Sequence, residues 1–258
     1  MNILLLDIET TPKLSWVWKV WKENIPNQNI VKDWYILCWA AKWLGETKVY
    51  TDAIYKHKEY ELDSEDDETI VGSLWDLLDQ ADFVVCHNIG FDIPSINTRF
   101  LVHGIEPPSS YRTYDTLKAA RSLFRFTHNS LGALGEALDC GKKLETGGMQ
   151  LWLDVLDDNK QAWKKMVDYC KQDVLLLEKV YNKIRPYDPK HPNIQIVHKD
   201  IEERPVCCQC GGEVTKKGFY YTNTQVYQRY KCGTCGHNQR GRYTISTLQQ
   251  RKNTLRSV

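Results

Sequence analysis

Ile3-Leu4-Leu5-Leu6-Asp7-Ile8-Glu9-Thr10 is the stretch on which the fold turns. Four consecutive aliphatic residues bounded by polar ones predict a strand buried on both faces, in the middle of a sheet. Asp7 and Glu9 lie two apart, so on a strand both carboxylates project to one face. Two like charges side by side are costly unless a cation sits between them. Either the strand ends at Leu6 and both acids are solvated, or the pair is there to hold something positive.

The 258 residues leave room for one large domain and a small one, and 42% hydrophobic with 26% charged residues is an ordinary globular composition. No apolar run approaches the ~20 residues that a membrane-spanning helix needs, so a cytoplasmic protein whose thiols stay reduced is expected. The net charge of +1 conceals an asymmetry: from Arg204 onward ten Lys and Arg face a single acid, Glu213. An acidic body with a basic appendage fits a polyanion partner for the appendage.

Working outward from the first strand, Thr10 to Ile30 is irregular, with Pro12 and Pro26 as breakers. Trp34–Leu44, a Gly45-Glu46 turn and Thr47–Ala53 read as a β-hairpin. Six of the nine tryptophans fall between Trp16 and Trp43. The simpler reading of that cluster is hydrophobic core; the alternative is a stacking platform for bases. Helical spacing over Glu68–Gln80 precedes a short buried strand at Asp82–Cys86, and a turn at 87–92 leads into a helix over Ile93–His103 with Pro94 in its first turn. A last strand is expected at Tyr111–Tyr114, with helices at Asp115–Phe124 and Ser130–Leu138, and Asp115 as a helix cap. Trp163, Met166, Val167, Cys170, Val174, Leu177 and Val180 trace one face of a long helix over Lys160–Ile184. Pro186, Pro189 and Pro192 then end it.

Two further acids fall at telling places. Asp92 follows a buried strand, and Asp173 shares a helix face with Tyr169, four residues before it. In order, the chain carries Asp7-Ile8-Glu9-Thr10, Asn88-Ile89-Gly90-Phe91-Asp92 and Tyr169-Cys170-Lys171-Gln172-Asp173. This series closely resembles the DEDD superfamily of 3′–5′ exonucleases, in the subgroup whose third motif carries tyrosine. The histidine subgroup needs a histidine at position 168, where Asp168 stands. The similarity spans roughly residues 1–185 and looks most like the proofreading domains of family B DNA polymerases and their free-standing phage relatives. It implies an RNase H-like α/β fold, a mixed five-stranded sheet flanked by helices. It also implies that Asp7, Glu9, Asp92 and Asp173 hold two Mg²⁺ or Mn²⁺ ions, and that Tyr169 orients the attacking water. Thr10, Asn88 and Phe91 are expected to meet the terminal nucleotide, and His87 to be a structural turn residue. No polymerase follows in the sequence.

The remaining segment divides into a Pro-rich linker at 186–203 and a cysteine-rich unit at 204–258. Cys207-x-x-Cys210 and Cys232-x-x-Cys235 supply four thiolates for one tetrahedral Zn²⁺, with Gly211, Gly212 and Gly236 for tight turns. Cys208 is an alternative to Cys207, and His237 a weaker one to Cys235. The unit resembles a zinc ribbon. Its charge, with Phe219, Tyr220, Tyr221, Tyr227, Tyr230 and Tyr243 interleaved, favours single-stranded nucleic acid; a replication or repair protein is the other partner a ribbon can dock.

The leading expectation is a metal-dependent 3′–5′ exonuclease acting on single-stranded DNA ends, with no membrane association. An RNA-trimming exoribonuclease of the same fold is the alternative among exonucleases, and an endonuclease on the same scaffold a third. A non-catalytic nucleic-acid adaptor is the alternative from another class.

Overall fold

The structure is a computed structural model that describes residues 1–197, 201 and 203–256. Positions 198–200 and 202 of the expected linker, and the last two residues, lie outside the described residues. The chain divides into two compact units, Asn2–Tyr181 and the part from Asn182 on.

In the first unit, β1 (Ile3–Thr10) runs four residues beyond the aliphatic run, so both acids lie on the strand. Next come the short strands β2 (Leu14–Ser15) and β3 (Ile30–Lys32), then β4 (Ile36–Trp43) and β5 (Tyr50–Ala53). The helices α1 (Glu59–Leu62) and α2 (Glu68–Asp79) lead to β6 (Phe83–Cys86), α3 (Ile89–Val102) and β7 (Arg112–Asp115). Helices α4 (Thr116–Leu123), α5 (Leu131–Ala137), α6 (Met149–Leu156) and α7 (Lys160–Ile184) complete it.

Five strands form one sheet in the order β5-β4-β1-β6-β7. β4 pairs antiparallel with β1 and with β5, whereas β6 runs parallel to both β1 and β7. β1 is central, which is why Leu4, Leu5 and Leu6 are fully buried. Strand alternation sorts its two faces. Ile8 lies opposite Trp39, whose indole donates to Ile70 O on α2 at 2.7 Å. Glu9 lies opposite Cys38, on the face covered by α7, where the Cys170 thiol donates to Asp7 O at 3.4 Å. α2 and α3 cover one face, and α7 meets the other through Cys170 at Asp7 and Glu178 at Lys42, the RNase H-like α/β arrangement.

The fully buried Asp67 pins the first layer: it takes both a forked contact from Arg99 of α3 and the Ile36 amide of β4. α3 begins four residues earlier than the sequence predicts, so Pro94 lies in its second turn. Asn88 makes that early start possible by adopting a left-handed φ of 74° at the cap, a conformation Asn tolerates better than most residues.

The tryptophans correct the expectation of a buried cluster. Trp39 is buried, but Trp16, Trp18 and Trp21 are 75%, 91% and 79% exposed. Packing there is set by what covers a side chain, and the loop between β2 and β3 leaves these three indoles open.

In the second unit, β8 (Val214–Tyr221), β9 (Val226–Cys232) and β10 (Asn238–Thr244) form an antiparallel sheet in the order β10-β9-β8, followed by α8 (Leu248–Asn253). A three-stranded sheet beside two cysteine knuckles is compatible with a zinc ribbon.

Candidate active site and cysteine cluster

Asp7 and Glu9 on β1 and Asp173 on α7 meet: each offers a carboxylate oxygen within 4.8 Å of the others. The meeting is a product of layering, since α7 lies across the face of β1 that carries both acids. Asp92, in the first turn of α3, is almost fully buried and close enough to Asp7 for their charges to repel. It stands outside the group of three whose oxygens all converge. Burial, then the neighbouring Asp173, raises the Asp7 carboxyl to about 7. Burial also raises Glu9, Asp92 and Asp173. Asp173 Oδ1 is buried without a hydrogen-bond partner among the described residues. Hard oxygen donors, desolvated and one of them unpartnered, are the donor set that suits Mg²⁺ or Mn²⁺.

Lys143, which sequence reasoning did not single out, enters this cluster from the segment before the Gly147-Gly148 loop. Its ammonium donates to Asp173 Oδ2 and, at 3.1 Å, to Tyr169 Oη. Burial works against its charge, but the Asp173 carboxylate outweighs that and raises its pKa above the usual lysine range. Two adjacent lysines before a glycine pair carry no signal that separates this one from its neighbour. Burial, with Asp173 beside it, lifts the Tyr169 phenol to about 12, so it stays protonated at neutral pH.

Clefts open on two sides of the carboxylates. One, of about 490 Å³, is lined by Glu9, Thr10, Phe91, Met149 and Trp152; the Trp152 indole donates to Thr10 O at 3.0 Å. A neighbouring cleft of about 430 Å³ shares Thr10, Thr11 and Phe91 and reaches Lys13 and Trp34. On the other side a cavity of about 330 Å³ is lined by Asp7, His87, Arg121, Lys143 and Asp173. Thr10 and Phe91 border the cleft, whereas Asn88 lines none of these three openings.

Asp115 caps α4, accepting the amides of Leu117 at 2.9 Å and Lys118 at 3.3 Å, and that of Asn88 at 3.1 Å. His87 is held at both nitrogens, by Thr116 Oγ1 and Asn129 O at 2.9 Å each, and burial lowers its pKa to about 4. It is neutral at physiological pH, so Nε2–H donates to the Asn129 carbonyl and Nδ1 accepts from the Thr116 hydroxyl.

The cysteines also converge. Cys207, Cys210, Cys232 and Cys235 form one group, with Sγ–Sγ separations of 3.6 Å for Cys207–Cys235 and 3.5 Å for Cys210–Cys232. A tetrahedron with arms of about 2.3 Å has edges near 3.8 Å, so the four sulfurs fit one metal ion. Gln209 N points to Cys207 Sγ and Cys235 N to Cys232 Sγ, each at 3.4 Å. The contact with Cys208 pushes the Cys207 thiol up to about 12, and the Gln209 amide works against that rise. Gly211 and Gly236 close the two knuckles at φ of 71° and 79°. Cys208 lies outside the group, and His237 is bound through Nδ1 to Pro186 O at 2.7 Å.

A five-stranded mixed sheet with an acidic cluster at its centre defines an RNase H-like domain with a candidate cation site. A family model described as the RNase_H superfamily matches residues 44–185, and the chain belongs to that superfamily. The match includes Asp92, Lys143, Tyr169 and Asp173 but begins after Asp7 and Glu9. No curated protein matches the chain. An RNase H-like domain points to nucleic-acid processing, and among the described residues no helix is long and apolar enough to cross a membrane.

Proposed function

We propose that the protein is a metal-dependent 3′–5′ exonuclease of the tyrosine DEDD subgroup, acting on single-stranded DNA. The observation that carries this reading is the meeting of Asp7, Glu9 and Asp173 at one point beside Tyr169. Asp7, Glu9, Asp92 and Asp173 would hold two Mg²⁺ or Mn²⁺ ions. Bound there, the cations lower the pKa of a water and stabilise the leaving 3′ oxygen.

The chain's own residues do the rest. Tyr169, protonated at neutral pH, donates a hydrogen bond that orients the attacking water, because a phenol held near 12 is no base at pH 7. Lys143 offsets the negative charge around Asp173 and Tyr169 and faces the cavity it shares with Arg121, two cations suited to a phosphate. Phe91 offers an exposed ring to the terminal base, with Thr10 beside it.

In the second unit Cys207, Cys210, Cys232 and Cys235 would hold one structural Zn²⁺ in a zinc ribbon, with 186–203 as linker and 204–258 as the basic unit. Arg240 lies over the Tyr227 ring at 4.1 Å and near Tyr220 at 5.4 Å, an arginine–aromatic surface suited to holding a single strand.

Asp7→Ala and Asp173→Ala are expected to lower cleavage of a 3′-labelled oligodeoxynucleotide by at least about 1,000-fold in Mn²⁺. Oligonucleotide binding without added Mg²⁺ or Mn²⁺ should persist. Normal shortening by Asp7→Ala sinks the assignment. Parallel ribo and circular substrates separate it from an exoribonuclease and an endonuclease.

A further inference from the structure

The loop between β2 and β3 is built, not slack. Trp16 N donates to Asn29 O at 2.8 Å, and Asn29 Nδ2 donates back to Trp16 O at 3.1 Å. The Glu23 carboxylate accepts the amides of Trp18 at 3.3 Å and Lys19 at 2.6 Å. The backbone is thus tied while the side chains are turned out: Trp16, Trp18, Val20 and Trp21 are the most exposed apolar group of this unit's surface loops, Val20 at 97%. A soluble surface that carries three open indoles on an ordered loop is a binding surface.

Two observations select its occupant. First, the loop continues the wall of the candidate active site. Thr10 and Thr11 line both clefts beside Phe91, Lys13 and Trp34 line the farther one, and Leu14 opens β2, which leads into the loop. Second, Lys19 and Lys22 directly follow Trp18 and Trp21, and Glu23 is engaged by backbone amides, whereas Lys13 is paired with Asp33 at 3.0 Å. Indoles interleaved with lysines, at the end of a cleft that starts at desolvated carboxylates, match unpaired bases on a phosphate backbone.

We propose that residues 13–22 form a single-strand stacking platform that carries the nucleotides lying 5′ of the one at the carboxylates. Trp16, Trp18 and Trp21 take bases, and Lys19 and Lys22 meet phosphates. Its orientation along the strand rests on the exonuclease reading; its affinity for a single strand does not.

The test is fluorescence anisotropy with a labelled oligothymidylate of about 20 nucleotides, with no Mg²⁺ or Mn²⁺ added and no chelator present, on the full chain. Trp16→Ala/Trp18→Ala/Trp21→Ala should weaken binding at least about tenfold, since each stacked base contributes ~1–3 kcal/mol. The triple Tyr variant should recover most of the loss. Lys19→Glu/Lys22→Glu, which leaves the indoles in place, should weaken binding and flatten its salt dependence. Unchanged affinity in the Ala variant overturns the platform, as does indole quenching by phosphatidylglycerol vesicles without quenching by the oligonucleotide. Adding Mn²⁺ to the wild type tests the exonuclease separately: binding without shortening sinks that reading and leaves the platform standing.

Discussion

The ammonium of Lys143 lies between Tyr169 Oη and the Asp173 carboxylate, inside a group of acids whose charges burial opposes. If it serves the reaction through charge, Lys143→Met should slow single-turnover cleavage roughly 100-fold while Mn²⁺ binding, read by calorimetry, does not weaken. Lys143→Arg should recover part of the rate. Loss of Mn²⁺ affinity in step with the rate would make the lysine a prop for the metal site alone. The acids themselves could be read from residue order, because their motifs are short and local. Lys143 could not, because nothing within a few residues of it distinguishes it from Lys142; only the approach of its segment to α7 does.

At the scale of elements, β1 and α7 make the site and the turn after β6 braces it. His87 in that turn ties the starts of α4 and α5 through Thr116 and Asn129. With its pKa lowered to about 4 by burial, the folded protein resists protonation that the unfolded chain accepts near 6.5. The stability this gives is present above pH 6.5 and is lost as pH falls toward 4, by up to about 3 kcal/mol at ~1.4 kcal/mol per unit. Because the raised carboxyls of Asp7 and its neighbours shift stability the other way, the His87 loss is read as the difference between wild type and His87→Gln in urea denaturation across this window. Here period and composition served well: the buried strands β1, β4 and β6 and the long α7 are legible from runs and helical spacing. The early start of α3 was not, since it depends on Asn88 accepting a left-handed backbone that residue type alone permits but does not require.

For the whole molecule, the two units carry two different sets of candidate metal donors, carboxylates in one and thiolates in the other. A zinc chelator should therefore release one zinc per chain and unfold the second unit, seen as lost amide dispersion from Cys207 to Thr244. Signals from β1 to α6 should hold. A chain that keeps its ribbon signals without zinc contradicts a structural metal there.

The sequence by itself determined the central strand with its paired acids, the order of the carboxylate motifs and the two cysteine pairs, because each is written in spacings of two to four residues along the chain. Tertiary structure alone decided three things: that Lys143 joins the acids, that Cys207 and not Cys208 completes the sulfur group, and that three tryptophans face solvent. Each depends on which distant segment comes to lie against a side chain, and a hydrophobic residue is core only if something covers it.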